Sequence, residues 1–162
     1  MNLNTSFDSS DFVKTEVGFV NLYAERGKLV AITIDSAPVQ KLGSDSSLDL
    51  AKDQLLEYFA GKRKVFDLPL DLRGTEFQKS VWQIIDQIKF GETLTYADIA
   101  ARIGKPKAAR AVGGAVGANP VPLVVPCHRV LGASGKITGY SGGEGLPTKR
   151  KLLRLEQISS VE

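Results

Sequence analysis

The chain has 162 residues, a formal net charge of +3 at pH 7, 43% hydrophobic and 24% charged residues, and single copies of cysteine, histidine and tryptophan. That length supports one domain or two small ones without disulfide help, and one cysteine excludes an internal disulfide. Two Cys/His side chains in all fall short of the four that a structural zinc site takes, and no secretory signal or long apolar span is legible, so a soluble, metal-free and cofactor-free protein of a reducing compartment, the cytoplasm, is expected.

The charge is unevenly spread. Residues 1–70 carry 8 Lys/Arg against 10 Asp/Glu, whereas residues 71–162 carry 13 against 8. Within 100–154 ten basic residues face Glu144 alone. A one-sided basic half is a footprint of nucleic-acid binding, although a solvated basic face has the same composition.

In chain order, the first dozen residues, rich in Ser, Asn and Asp, read as a frayed terminus. "VGFVNLYAE" and "KLVAITI" flank Arg26-Gly27 with the alternation of a β-hairpin. Leu48, Ala51, Leu55, Leu56 and Phe59 then recur at helical spacing up to Gly61. This small α/β unit holds no polar constellation that carries chemistry. "KRKVFDLPLDLRG" (62–74) reads as the linker, dividing a domain 1–70 from a domain 71–162.

The second domain reads as mainly helical. Thr75 caps a helix with the apolar face Phe77, Val81, Ile84, Ile85 and Ile88. Thr95 and Asp98 form a capping-box-like start for a short helix that Gly104 stops, and Pro106 opens the next, "KAARAVGGAVGANP". A short helix, a glycine turn and a helix of small and basic residues resemble a helix-turn-helix. "VPLVVP" reads as a stiff, buried, extended run, "LGASGKITGYSGG" as a glycine-rich loop or small wing, and "PTKRKLLRLEQ" as a closing helix.

The sole cysteine and the sole histidine are neighbours in "VVPCHRV" (124–130). Adjacent side chains diverge in both strands and helices, so a Cys127–His128 contact needs an irregular turn or an intervening water. An imidazole within one water can take the thiol proton, and basic surroundings lower the thiol pKa. The alternative is an inert buried thiol acting as a small hydrophobe.

"FGETLTYADIA", "AARAVGGAVGANP", "NPVPLVVPCHRV" and "GYSGG" stand in the order and spacing of the O6-alkylguanine-DNA alkyltransferases, and over 77–156 the chain resembles that family closely. The resemblance implies an α/β N-terminal ribonuclease-H-like domain followed by a mainly α, winged helix-turn-helix-like domain. It implies that Cys127 accepts the alkyl group from O6 of guanine, with O4 of thymine as an alternative site. His128 would be its base through a water, Glu156 would orient the imidazole, and Tyr96 would donate a proton toward guanine N3. Arg110 would fill the space of the extruded nucleotide, and Asn119 would tie the recognition helix to the active-site turn. Tyr140 and Ser141 would wall the pocket, and the Val130 carbonyl would read the exocyclic amine. Small residues at Ala109, Gly113 and Gly114 would let the helix approach the DNA backbone.

The implied partner is double-stranded DNA containing O6-alkylguanine, bound through the minor groove by a monomer, with cooperative assembly on DNA as the alternative. An alkyl thioether is not cleaved by water, so each molecule would act once. The cysteines of the N-terminal zinc site or phosphotriester-repair domain of some relatives are absent, and the stretch between Tyr140 and Glu156 is slightly longer than the family pattern. Two other functions compete: a non-catalytic alkylated-DNA binding protein, which would lack the cysteine, and a cysteine hydrolase, which would need no basic face.

Overall fold

A computed structural model of the chain describes residues 5–159. They fall into two compact units that divide between Arg73 and Gly74. Among the described residues, no helix is long and apolar enough to cross a membrane.

The first unit is an antiparallel sheet of β1 (Ser9–Thr15), β2 (Gly18–Glu25) and β3 (Lys28–Asp35), in that spatial order, with α1 (Ser46–Phe59) packed on it. The hairpin predicted around Arg26-Gly27 is present. Both turn residues have positive φ, 52° and 78°. Paired positive φ values match the right-handed twist of the strands, and Gly27 adopts its value without a Cβ clash. The turn is fixed from outside, because Arg26 N donates to Asp8 Oδ2 and Gly27 N to Asp45 Oδ2. Asp45 also caps α1 by accepting from Ser47 N at 2.8 Å, so one carboxylate joins hairpin to helix.

Two expectations for this unit fail. The first dozen residues include β1, whose pairing runs from Ser9 opposite Ala24 to Thr15 opposite Gly18. Polar composition hid the strand: Ser9, Ser10 and Asp11 are buried, with Ser10 Oγ donating to Gln40 O and Lys52 Nζ donating to Asp11. The stretch 62–74 is also no free linker. Leu29 N donates to Pro69 O, Asp71 N donates to Leu29 O, and Gln54 exchanges two hydrogen bonds with the Asp67 backbone.

The second unit contains α2 (Glu76–Asp86), β4 (Leu94–Thr95), α3 (Tyr96–Arg102), α4 (Ala109–Gly117), β5 (Val130–Leu131) and α5 (Leu146–Leu155). Both predicted N-caps are complete capping boxes, Thr75 with Gln78 and Thr95 with Asp98. The strands β4 and β5 pair in parallel and set Tyr96 beside the cysteine segment. Trp82, unremarked in the sequence, is buried on α2 and donates from Nε1 to Ala115 O of α4 at 2.8 Å.

Here too the structure differs twice. Pro106 lies in a turn and α4 begins three residues later, at Ala109, with no side-chain cap at Ala108. Residues 120–126 form consecutive turns in place of an extended run. Leu123 sits at φ 76°, a left-handed value that costs a non-glycine residue on the order of 1 kcal/mol or more. Burial on all sides offsets that cost, since every residue from Val121 to Leu131 is buried.

Asp45→Ala should destabilise the first unit by about 1–2 kcal/mol, because the α1 cap and the Gly27 contact go together. Burial works to raise the Asp45 pKa, but the bonds from Ser47 and Gly27 outweigh it and hold the carboxyl below its ordinary value. A depressed folded pKa gives stability above the unfolded pKa that is lost as pH falls through the folded one. Urea unfolding of parent and variant should therefore converge on the acid side of the carboxylate range.

Candidate active site

The cysteine is placed by Asn119. This buried side chain accepts from Val121 N at 3.0 Å and donates from Nδ2 to Val125 O at 2.7 Å, clamping both ends of the turn that follows α4. Cys127 N then donates to Val125 O at 2.8 Å, and Cys127–Arg129 form a single 3-10 turn. Such a turn is the irregular geometry that neighbouring Cys and His side chains require.

The Cys127 side chain, 6% exposed, lies in the wall of a pocket of about 240 Å³ shared with Tyr96, Gly113, Val116, Gly117, Gly139, Tyr140 and Ser141. A wider groove of about 540 Å³ adjoins it, lined by Tyr96, Ala109, Arg110, Gly113, Thr138 and Gly139 among others. Tyr96 therefore stands where groove meets pocket. Its hydroxyl donates to Thr138 O at 3.3 Å, and its ring lies 3.9 Å from where a Cβ on Gly113 would be.

The two residues that follow Cys127 belong to a buried polar triad with Glu156. His128 is fully buried, and its Nε2 lies 2.5 Å from Glu156 Oε2. Glu156, at the end of α5, also accepts from Arg129 Nε at 2.7 Å and Nη2 at 3.2 Å, while Arg129 Nη1 donates to Ile88 O. A carboxylate on Nε2 places the imidazole proton there, which leaves Nδ1 as the basic nitrogen. That Nδ1 is buried and has no protein hydrogen-bond partner.

Burial pushes the Cys127 thiol above its ordinary pKa, against the opposing influences of Asn119 and Lys149. Burial also lowers the His128 pKa, although Glu156 pulls it up. At neutral pH the two residues are therefore a protonated thiol and a neutral imidazole, and the thiol must lose its proton before the sulfur is nucleophilic. A thiol followed in the chain by a carboxylate-bound imidazole is a set of groups able to support nucleophilic chemistry.

Of the residues singled out from sequence, Cys127, His128 and Glu156 belong to this assembly and Asn119 supports it. Tyr96, Tyr140, Ser141 and Gly113 line the pocket; Ala109 and Arg110 line the groove. Gly114 is exposed and lines neither. Val130 is buried, and its carbonyl accepts from Lys149 Nζ at 2.6 Å. Sequence reasoning missed the buried roles of Arg129 and Lys149, counting both in the basic stretch 100–154 that it weighed as a nucleic-acid footprint or a solvated face. The spacing of Lys149, Leu152 and Glu156 on one helical face was the available signal.

Comparisons with known proteins identify the family. Residues 76–158 match the family model "6-O-methylguanine DNA methyltransferase, DNA binding domain", and residues 11–72 match its "ribonuclease-like domain". The chain is 58% identical over 110 residues to a methylated-DNA–protein-cysteine methyltransferase of Mycolicibacterium paratuberculosis, covering 68% of this chain and 66% of that relative. It is 54% identical over 112 residues to the constitutive enzyme of that description from Bacillus subtilis, covering 69% and 67%. The alignment thus spans about two thirds of these curated relatives.

Among solved structures, the DNA complex of Mycobacterium tuberculosis OGT superposes with a TM-score of 0.82 at 44% identity, covering 91% of this chain and 92% of that one. An O6-methylguanine DNA methyltransferase from Methanococcus jannaschii gives 0.63 at 32% identity, covering 93% and 95%. The chain belongs to the 6-O-methylguanine DNA methyltransferase family, with an N-terminal ribonuclease-like domain and a C-terminal DNA-binding domain.

Glu156→Gln should cost about 3–5 kcal/mol, because it leaves the Arg129 guanidinium buried without its anion. His128 adds a pH signature. Its folded pKa lies below the unfolded value of about 6.5, so below that pH the unfolded chain binds protons preferentially and stability declines. Thermal melting across pH 5–8 should show that acid-side decline in the parent and a flatter profile in His128→Gln.

Proposed function

We propose that the protein repairs DNA by moving an alkyl group from O6 of guanine, with O4 of thymine as an alternative donor, onto Cys127 Sγ. The observation that carries this reading is the position of Cys127, in the wall of a base-sized pocket and followed in the chain by the buried His128–Glu156 pair.

An alkyl on O6 is out of reach inside a duplex, so the nucleotide must be flipped. In this reading α3 and α4 form a helix-turn-helix with the 131–145 loop as its wing, docked in the minor groove. Ala109 and Gly113 keep the groove shallow, and the exposed Arg110 replaces the extruded base. Arg102, Lys105 and Lys107, all exposed between and on these helices, supply sequence-independent phosphate contacts.

The chemistry balances within the pocket. Cys127 passes its proton through a water to His128 Nδ1, and Glu156 stabilises the imidazolium. The sulfur attacks the alkyl carbon and the carbon–O6 bond breaks, its electron pair entering the guanine ring. Tyr96 donates a proton at N3, so neutral guanine leaves, and the proton held on His128 passes through solvent to restore the Tyr96 phenol. The product is a thioether. An alkyl thioether is not cleaved by water, because a thiolate is a poor leaving group from an unactivated alkyl carbon, so each molecule acts once. A reduced thiol as the consumable group suits a reducing compartment such as the cytoplasm.

Incubation with a duplex oligonucleotide carrying one O6-methylguanine should add one methyl mass to the Cys127 peptide and restore guanine. Cys127→Ser should bind the duplex without accepting the methyl group. Repeated turnover, or methylation elsewhere, would count against this assignment. Arg110→Ala should slow transfer from duplex DNA by at least about tenfold while changing transfer from the free base far less, because flipping costs a few kcal/mol. Single-turnover rates on the two substrates measure the difference.

A further inference from the structure

Lys149, on the buried face of α5, is only 1% exposed and has no carboxylate partner among the described residues. Its three N–H groups go to three backbone carbonyls: Val130 O at 2.6 Å, Thr138 O at 2.9 Å and Gly139 O at 3.2 Å. Three donors are the whole capacity of an ammonium. The other buried cation nearby, Arg129, is neutralised by Glu156, whereas the charge of Lys149 is not.

Each of the three carbonyls belongs to a different part of the site. Val130 is in β5, directly after the turn that carries Cys127. Thr138 O also accepts from the Tyr96 hydroxyl, so Lys149 and Tyr96 converge on one oxygen. Gly139 lines the pocket beside Tyr140 and Ser141. The titratable groups within the electrostatic reach of the ammonium are Cys127 and His128 from the 3-10 turn, with Tyr96 meeting it at Thr138 O.

We propose that Lys149 is the positioning residue of this site. Its buried ammonium gathers the cysteine turn, the Tyr96 acceptor and the pocket lip into one cluster, and serves as the counter-charge for the Cys127 thiolate. The proposal rests on reading Cys127 as the alkyl acceptor. Burial lowers the Lys149 pKa to about 8, against the opposing pull of an ionised Cys127, so the side chain is mostly protonated at neutral pH. Its charge disfavours a proton on both Cys127 and His128. At His128 the adjacent Glu156 works in the opposite direction.

The test uses iodoacetamide, a small electrophile that needs no DNA and, with one cysteine in the chain, reports on Cys127 alone. In Lys149→Met the rate–pH profile should move to higher pH, and the rate at pH 7.5 should drop roughly tenfold, as a one-unit rise in thiol pKa requires. Lys149→Arg should keep the thiol profile near that of the parent yet remain slow toward O6-methylguanine duplex. A planar guanidinium holds the charge but cannot reproduce a three-way ammonium contact. Lys149→Gln, which retains a donor and loses the charge, gives the same thiol readout in a milder background, with Trp82 fluorescence verifying the fold. A neutral variant whose thiol profile coincides with that of the parent would overturn the counter-charge, and full-speed duplex transfer by Lys149→Arg would overturn the three-carbonyl cluster. If the parent never accepts methyl from DNA, the repair function fails while the iodoacetamide profiles still decide the role of Lys149.

Discussion

Glu156 enters the interior of the second unit at the end of α5, and its carboxylate meets both residues that follow the cysteine, His128 and Arg129. A carboxylate in an apolar interior is tolerated only when its lone pairs are taken up by donors, and here the donors include a guanidinium that is itself fixed to Ile88 O. That pairing anchors α5 to the cysteine turn and the turn to the end of α2. It also fixes the imidazole with its proton toward Glu156 and its basic nitrogen free. Position and protonation state of the imidazole thus come from one contact.

The other side of the cysteine is held by backbone. Asn119 accepts one amide and donates to one carbonyl of the turn between α4 and Cys127, so the helix of small residues and the nucleophile move as one piece. The left-handed Leu123 is the conformational cost of turning the chain so sharply, and complete burial from Val121 to Leu131 sustains it. A rigid frame matters because displacement at an alkyl carbon depends on alignment of sulfur, carbon and leaving oxygen. The neutral resting pair complements that frame. A buried thiolate waiting without substrate would be costly and open to oxidation, whereas a thiol that ionises only as its proton leaves avoids both.

Local signals were legible where local chemistry decides the outcome. The Arg26-Gly27 hairpin, the Thr75 and Thr95 caps and the helical face of α1 are set by turn and capping residues within a few positions of one another. The pairing of the only cysteine with the only histidine was equally plain, and the family resemblance placed Tyr96, Asn119 and Glu156 around it. Misreadings arose where burial overrides composition. Ser9, Ser10 and Asp11 looked like a solvated terminus because their hydrogen-bond partners, Gln40 and Lys52, lie far along the chain. The run 120–126 looked extended because its prolines and valines favour that conformation in isolation.

By itself, the sequence determined the family, the two-part organisation, the basic second half and the residues around the nucleophile, because these are written in motifs, spacing and composition. Only the tertiary structure decided which charges are solvated and which are buried. Arg129 and Lys149 belong to the same basic stretch as Lys105 and Lys107, yet the first pair points inward to a carboxylate and a set of carbonyls while the second pair stays exposed. The physical reason is that a cation enters the interior only where distant parts of the chain supply its partners, and those partners come together only once the chain has folded.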